Sequence, residues 1–243
     1  MVRVAVVGAR GRMGAAVCEA VGADPALELV AQVGSCDGLD LVLDAGADVA
    51  VEFTLPTTVR ANTAWLLGRG VHTVVGATGL SEEDLRGLER LTGPANCFVA
   101  PNFAVGAVLM MRMAELAARH FDHVEVIECH HERKLDAPSG TAVRTARMIA
   151  AAREKNGRDH GVPLPGPAGG PSRGVVVDGV AVHSVRLPGF VASQEVLFGG
   201  PGQTLRIRHD SIDRASFMPG VLLAIKRIAS LPGLTIGLEA LLD

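Results

Sequence analysis

Val2-Arg3-Val4-Ala5-Val6-Val7-Gly8-Ala9-Arg10-Gly11-Arg12-Met13-Gly14 takes a short apolar run through three glycines. Valine-rich runs of this length read as strands buried on both faces, the habit of a parallel sheet. The following Ala15-Ala16-Val17-Cys18-Glu19-Ala20-Val21 reads as a helix. A strand, a glycine loop and a helix in that order bring backbone amides and a helix dipole to one point, which suits a pyrophosphate. Glycine permits both the tight turn and the close approach of the phosphates. The pattern is G-x-x-G-x-x-G, one residue longer in its first gap than the usual dinucleotide fingerprint. Gly8, Ala9, Arg10, Gly11, Arg12 and Met13 are therefore candidate cofactor contacts.

The second half of the fingerprint departs from the rule. The strand Glu28–Val33 should end, about 20 residues on, in an acid for the adenine ribose. Gly34 stands there instead, followed by Ser35 and Cys36, with Asp37 three residues late. Arg10 and Arg12 offer cations to a 2′-phosphate. The sequence leans toward NADPH and leaves NADH open.

Working outward, strands and helices alternate through the first hundred residues. Asp48–Phe53, His72–Val75 and Asn96–Val99 read as strands, and Val59–Leu67 as a helix. Ser81, followed by Glu82, Glu83 and Asp84, reads as a capped helix start with acids in its first turn. Such alternation predicts an α/β domain of Rossmann type, a parallel sheet with helices on both faces. Ligands bind these sheets outside the carboxyl ends of the strands. That rule puts Gly8 to Met13, Gly76-Ala77-Thr78 and Ala100-Pro101-Asn102-Phe103 on one rim.

Beyond Phe103 the pattern changes. Val105–Ala117 reads as a buried or interdomain helix whose methionines fill a core. Val124–Ile127 reads as a strand, Asn156–Gly174 as a mobile loop rich in glycine and proline, and Val180–Arg186, Ser193–Phe198 and Thr204–His209 as further strands. Gly199-Gly200-Pro201-Gly202 predicts a hairpin between the last two. Consecutive strands predict an α+β second domain with an open mixed sheet, and open edges invite a homo-oligomer. Phe217, Val221, Ile225 and Ile228 mark one face of a closing helix expected to return to the first domain. The expected limits are 1–103 with 216–243 for dinucleotide binding, and 104–215 for substrate binding and oligomerisation.

Composition narrows the function classes. The 243 residues carry 23 basic and 26 acidic side chains, with no tyrosine and one tryptophan. A net charge of −3 and so few aromatics argue against nucleic acid as a partner. No run of 18 or more apolar residues suggests a membrane span, and a strand where a leader would stand points to the cytoplasm. Cys18, Cys36, Cys97 and Cys129 form no metal-ligand spacing and read as reduced. Cys129, His130 and His131 are consecutive and rarely converge on one ion, so no metal is expected.

The chemistry is concentrated in Glu128-Cys129-His130-His131-Glu132-Arg133-Lys134-Leu135-Asp136-Ala137-Pro138-Ser139-Gly140-Thr141. Histidine exchanges protons near neutrality, and a lysine four residues on adds a positive field. Pro138 keeps Ala137 out of the α region, so the next helix begins after it, with Ser139 or Thr141 as its cap. Amides at that helix start suit a small carboxylate. Asp136 either orients Lys134 or stabilises the turn.

Taken together, G-x-x-G-R-M-G, Gly76-Ala77-Thr78-Gly79, Ala100-Pro101-Asn102-Phe103 and the H-H-x-x-K-x-D-A-P-S-G-T block from His130 to Thr141 resemble the 4-hydroxy-tetrahydrodipicolinate reductase family. The likeness runs through Gln194–Phe198 and Arg208–Ser211. It departs at Ala77, Glu52 and Gly34, where threonine, aspartate and an acid are usual. The resemblance implies NADPH- or NADH-dependent reduction of a cyclic dicarboxylate in diaminopimelate and lysine biosynthesis, hydride adding at C4 and the ring hydroxyl leaving as water. It implies His130 as proton donor or acceptor, Lys134 as a second proton donor, and His131, Ser139, Gly140 and Thr141 as substrate contacts. It also implies a homotetramer. Two other classes stay open: a two-domain dehydrogenase of small amino or sugar acids, and a non-catalytic dinucleotide sensor.

Overall fold

The computed structural model describes residues 1–157 and 171–242. In chain order its elements are β1 (Val2–Val7), α1 (Arg12–Ala23), β2 (Leu27–Val33), α2 (Asp40–Asp44), β3 (Val49–Glu52), α3 (Val59–Leu67), β4 (His72–Val75), α4 (Glu82–Glu89) and β5 (Cys97–Val99). There follow α5 (Val105–Ala118), β6 (His123–His130), α6 (Gly140–Lys155), β7 (Val175–Val177), β8 (Val180–Arg186), β9 (Ala192–Gly200), β10 (Gln203–Ser211), α7 (Met218–Arg227) and β11 (Leu234–Ile236). Residues 158–170 of the loop expected at Asn156–Gly174 lie outside the described residues. Two compact units result: Met1–Val105 with Arg214–Asp243, and Gly106–Asp213.

The first unit is built on a parallel sheet in the order β11-β5-β4-β3-β1-β2. The chain leaves β1 for β2 on one side and then crosses to β3 on the other, so the carboxyl end of β1 is the switch point where such sheets bind ligands. Val4, Ala5, Val6 and Val7 are all buried, so both faces of β1 are covered. Ala5, Val7 and Ala50 pack with Val42 of α2 and Leu66 of α3. Helices α1 and α7 pack against one another. Helix α4 starts as the sequence reads: Ser81 accepts from the Asp84 amide at 3.1 Å while the Asp84 carboxylate accepts from the Ser81 amide at 2.9 Å. Strand β11 was not legible, because three residues after Pro232-Gly233 carry no periodicity of their own; pairing with β5 makes it a strand.

The second unit holds a mixed sheet in the order β10-β9-β6-β8-β7, with β6 and β8 parallel and the other pairs antiparallel. Val126, Val182, Val196 and Phe198 pack with Ile149 of α6 and Ala114 and Ala118 of α5. The β9–β10 hairpin closes with Gly200 opposite Gln203. Strand β6 runs on through Glu128, Cys129 and His130, past the apolar stretch that marks it in the sequence. Pairing with both β8 and β9 carries those residues into the ladder. Alternation then sets Val124, Val126, Glu128 and His130 on one face of the strand.

Candidate active site

A cavity of about 480 Å³ opens at the switch point of the first unit. Three strand ends supply its walls: Gly8, Arg10 and Gly11 after β1, Gly34, Ser35 and Asp37 after β2, and Phe53, Thr54 and Leu55 after β3. Gly8 has φ +86°, and a Cβ on it would stand 2.6 Å from the Phe53 carbonyl oxygen. A Cβ on Gly14 would run into the Gly8 carbonyl, so the third glycine lets α1 sit against the loop. Gly11 caps α1 without a side-chain hydrogen bond. The first amides of that helix therefore lack the oxygen that a serine or aspartate cap supplies. Uncapped amides, a loop with no room for Cβ atoms and a cavity at the switch point fit the diphosphate of a dinucleotide.

Other predicted contacts are placed differently. Ala9 is buried, Arg12 is exposed and Met13 is half-buried in the first turn of α1. The amides of Gly76 and Ala77 both donate to the Glu52 carbonyl, at 3.0 and 3.3 Å, and Thr78 is exposed. Ala100 and Phe103 are buried, and the Phe103 ring sits 6.0 Å from that of Phe53. Pro101 is exposed, while Asn102 accepts from the Ala104 amide at 2.9 Å. That segment offers backbone and the side chains of Pro101 and Asn102 to its surroundings.

Two features of this cavity go beyond the sequence, which offered Asp37 only as a late acid and did not point to Glu52 as a buried carboxylate. Asp37 folds back so that its carboxylate accepts from the Gly34 amide at 2.8 Å and pairs with Arg10 at 3.2 Å. An acid thus reaches the end of β2 although none occupies position 34. Beneath the opposite wall, the fully buried Glu52 carboxylate accepts from the Thr54 hydroxyl and, at 3.1 Å, from the Asn62 amide group. Burial pushes the Glu52 carboxyl above the usual range, against the pull of those hydrogen bonds. Thr54-Leu55-Pro56, at the end of the strand next to β1, was the one available signal.

In the second unit the predicted proton donors gather at the end of β6. Nδ1 of His130 lies 2.5 Å from Oε2 of Glu128, which is completely buried. Arg186 of β8 grips both oxygens of that carboxylate, at 2.9 and 2.8 Å. The Ser139 amide donates to Oε1 of Glu128 at 3.2 Å. Burial works to raise the Glu128 carboxyl, but hydrogen bonds from His130, Arg186 and Ser184 bring it down to about 2. The bond to Glu128 in turn raises Arg186 further.

Lys134 closes a turn, its amide donating to the His131 carbonyl at 3.1 Å, and its ammonium pairs with Asp136 at 2.8 Å. That hydrogen bond holds the Asp136 carboxyl below the usual range. The Asp136 carbonyl accepts from Nη2 of Arg186 at 2.7 Å. Ser139, rather than Thr141, caps α6, accepting from the Ala142 amide at 3.2 Å. Gly140 is exposed with open space where a Cβ would stand, Thr141 is half-buried, and His131 is exposed. Glu128 and Arg186 were quoted within the sequence runs but not singled out, since an isolated charge in a strand gives no hint of a partner far along the chain. No group of histidine, cysteine and acidic residues able to hold a metal occurs among the described residues.

Sequence models of "Dihydrodipicolinate reductase, N-terminus" and "Dihydrodipicolinate reductase, C-terminus" match residues 2–103 and 106–242. The chain is 52% identical to the 4-hydroxy-tetrahydrodipicolinate reductase of Nocardia farcinica, over 100% of this chain and 99% of the relative. It is 50% identical to that of Streptomyces griseus, over 99% and 98%. Among solved structures it resembles a dihydrodipicolinate reductase from Paenisporosarcina sp. TG-14 with dipicolinate bound, at 40% identity, a TM-score of 0.87 and 99% coverage of both chains. With both halves matched and relatives at half identity end to end, the chain belongs to the dihydrodipicolinate (4-hydroxy-tetrahydrodipicolinate) reductase family.

Proposed function

We propose that this chain reduces 4-hydroxy-tetrahydrodipicolinate to tetrahydrodipicolinate with loss of water, a step of diaminopimelate and lysine biosynthesis. The observation that carries the reading is the convergence of His130, the Lys134–Asp136 pair and the Ser139-capped start of α6 around one buried carboxylate, Glu128. Its cofactor is NAD(P)H, which supplies a hydride when bound. Gly8 and Gly11 with the start of α1 hold the diphosphate. The first amides of α6, at Gly140 and Thr141, accept one carboxylate of a dianionic substrate, helped by the dipole of a 16-residue helix. Lys134 lends positive charge to the same dianion, and His130 exchanges the proton that completes the product. His131 is a further substrate contact.

For the cofactor's ribose we propose Arg10, Arg12 and Asp37 as the selecting groups. Arg10 and Arg12 are exposed cations suited to a 2′-phosphate, and the carboxylate of Asp37 is partly neutralised by Arg10 and the Gly34 amide. Two cations against one occupied anion favour NADPH, while Asp37 remains an acceptor for the 2′-hydroxyl of NADH. A homotetramer in the cytoplasm completes the proposal; no described helix is long and apolar enough to cross a membrane. Light scattering of the purified protein measures the assembly.

The deciding experiment couples the condensation of aspartate semialdehyde and pyruvate to this chain and follows oxidation of NADH and NADPH side by side. Turnover with both, faster at low NADPH, is expected. Tight dinucleotide binding without turnover would overturn the proposal.

A further inference from the structure

A second role emerges for the ion pair beneath His130, and it rests on the reading of His130 as the proton-exchanging group. Glu128 occupies a core-facing position in the row Val124, Val126, Glu128, where an apolar side chain would pack with no charge to compensate. A fully buried ion pair is often no more stabilising than a hydrophobic pair of similar volume. Its presence here therefore calls for a purpose other than stability. Four groups meet the carboxylate: Nδ1 of His130 at 2.5 Å, both terminal nitrogens of Arg186, the Ser139 amide and the Ser184 side chain.

We propose that Glu128 is a positioning residue that locks His130 in its Nδ1–H tautomer, with Arg186 as the counter-charge, so that Nε2 is the atom through which protons pass to and from the substrate. An ionised carboxylate only accepts hydrogen bonds, so the ring nitrogen facing it must carry hydrogen. In the neutral ring Nε2 is then the free acceptor, and in the charged ring it is the second donor. The acidity of Glu128, at about 2, keeps the carboxylate ionised through the neutral range. Arg186 has a second task. Its Nη2 also holds the Asp136 carbonyl, and Asp136 pairs with Lys134. The Ser139 amide ties the cap of α6 to the same carboxylate. One ion pair thereby sets the histidine ring, the lysine turn and the carboxylate cradle.

Histidine labelled with ¹⁵N tests the tautomer directly, the His130 resonances being those lost in His130→Gln. The wild type should show hydrogen on Nδ1. Glu128→Gln, whose amide can either donate or accept, should lose that preference and lower kcat about tenfold or more, a share of the usual general acid–base contribution. NADPH affinity should hold within about twofold. Glu128→Gln combined with His130→Gln should slow turnover by less than the product of the two single effects, since residues acting as a unit are not additive. Glu128→Asp, which keeps the charge, should retain the Nδ1–H form and recover part of kcat. Arg186→Lys should keep the tautomer yet slow turnover by loosening the lysine turn; if Glu128→Gln does not fold, the wild-type tautomer decides, and hydrogen on Nε2 alone would overturn the proposal. In Glu128→Gln, either wild-type kcat or slow turnover with the tautomer unchanged would overturn the proposal. If His130→Gln itself turns over normally, the histidine reading falls and takes this inference with it. If only His130→Gln is slow, this inference alone falls.

Discussion

Arg10 lies across Gly34: a Cβ at position 34 would stand 2.8 Å from Nε of the arginine, whose far end pairs with Asp37. Glycine at the end of β2 is what makes room for the guanidinium, and the late aspartate fixes it there. Arg10→Ala should therefore raise the KM for NADPH about tenfold, the low end for a charge-assisted hydrogen bond at an exposed site, and change that for NADH little. Gly34→Asp should displace Arg10 and move selectivity toward NADH. Initial rates at varied cofactor concentration check both, and an unchanged NADPH/NADH ratio in both would remove this trio from cofactor choice.

Gly14→Ala tests the glycine loop. Its Cβ would run into the Gly8 carbonyl, which is backbone and cannot rotate aside. The expected cost is about 1–3 kcal/mol of stability, typical of overpacking, together with weaker NADPH binding. Thermal unfolding and fluorescence titration measure the two, and wild-type values in both would show that α1 need not approach the loop.

In the second unit, His130→Gln and Lys134→Ala should each lower kcat about 10²-fold or more, the range for lost acid–base groups. Cofactor affinity should barely change. Thr141→Val should raise the substrate KM and weaken binding of dipicolinate, the planar dicarboxylate bound by the relative from Paenisporosarcina sp. TG-14. Calorimetry with dipicolinate separates the cradle from the chemistry; unaltered affinity would count against a carboxylate at the start of α6.

Glu128 and Glu52 should respond to pH in opposite ways. Glu128 titrates in the folded chain at about 2, below its ordinary 4.5, so it contributes stability that is complete above about 4.5 and is lost as pH falls toward 2. Glu128→Gln should accordingly narrow its stability deficit as the solution is acidified through that window. Glu52 is raised by burial from the same ordinary 4.5, so its ionisation opposes folding as pH rises past that value. Glu52→Gln, which keeps a hydrogen-bonding oxygen for Asn62 and Thr54, should raise Tm near neutral pH and leave it nearly unchanged in acid below the ordinary carboxyl range. Calorimetric melting under the two conditions decides, and equal effects in both would show that charge is not the cause.

Much of the fold was legible because its signals are short-range. Valines in β1, the amphipathic run of α3, the Ser81–Asp84 box and the glycine hairpin between β9 and β10 each act within a few residues. The site was half legible for the same reason. His130, Lys134 and Ser139 lie within ten positions of one another, so one turn between a strand and a helix brings them together. Thr54 and Asn62 were passed over, and Asp37 was noted only as an acid three residues late, because only the order of strands makes them neighbours of Gly8.

By itself, then, the sequence determined the local elements, the glycine loop and the candidate proton donors, since backbone preference and side-chain periodicity act along the chain. The tertiary structure decided that β1 lies between β2 and β3, that Asp37 returns to the place Gly34 leaves open, and that Arg186 meets a carboxylate 58 residues away. Those relationships depend on strand register and on the need of a buried charge for partners, and both arise only when distant segments are packed together.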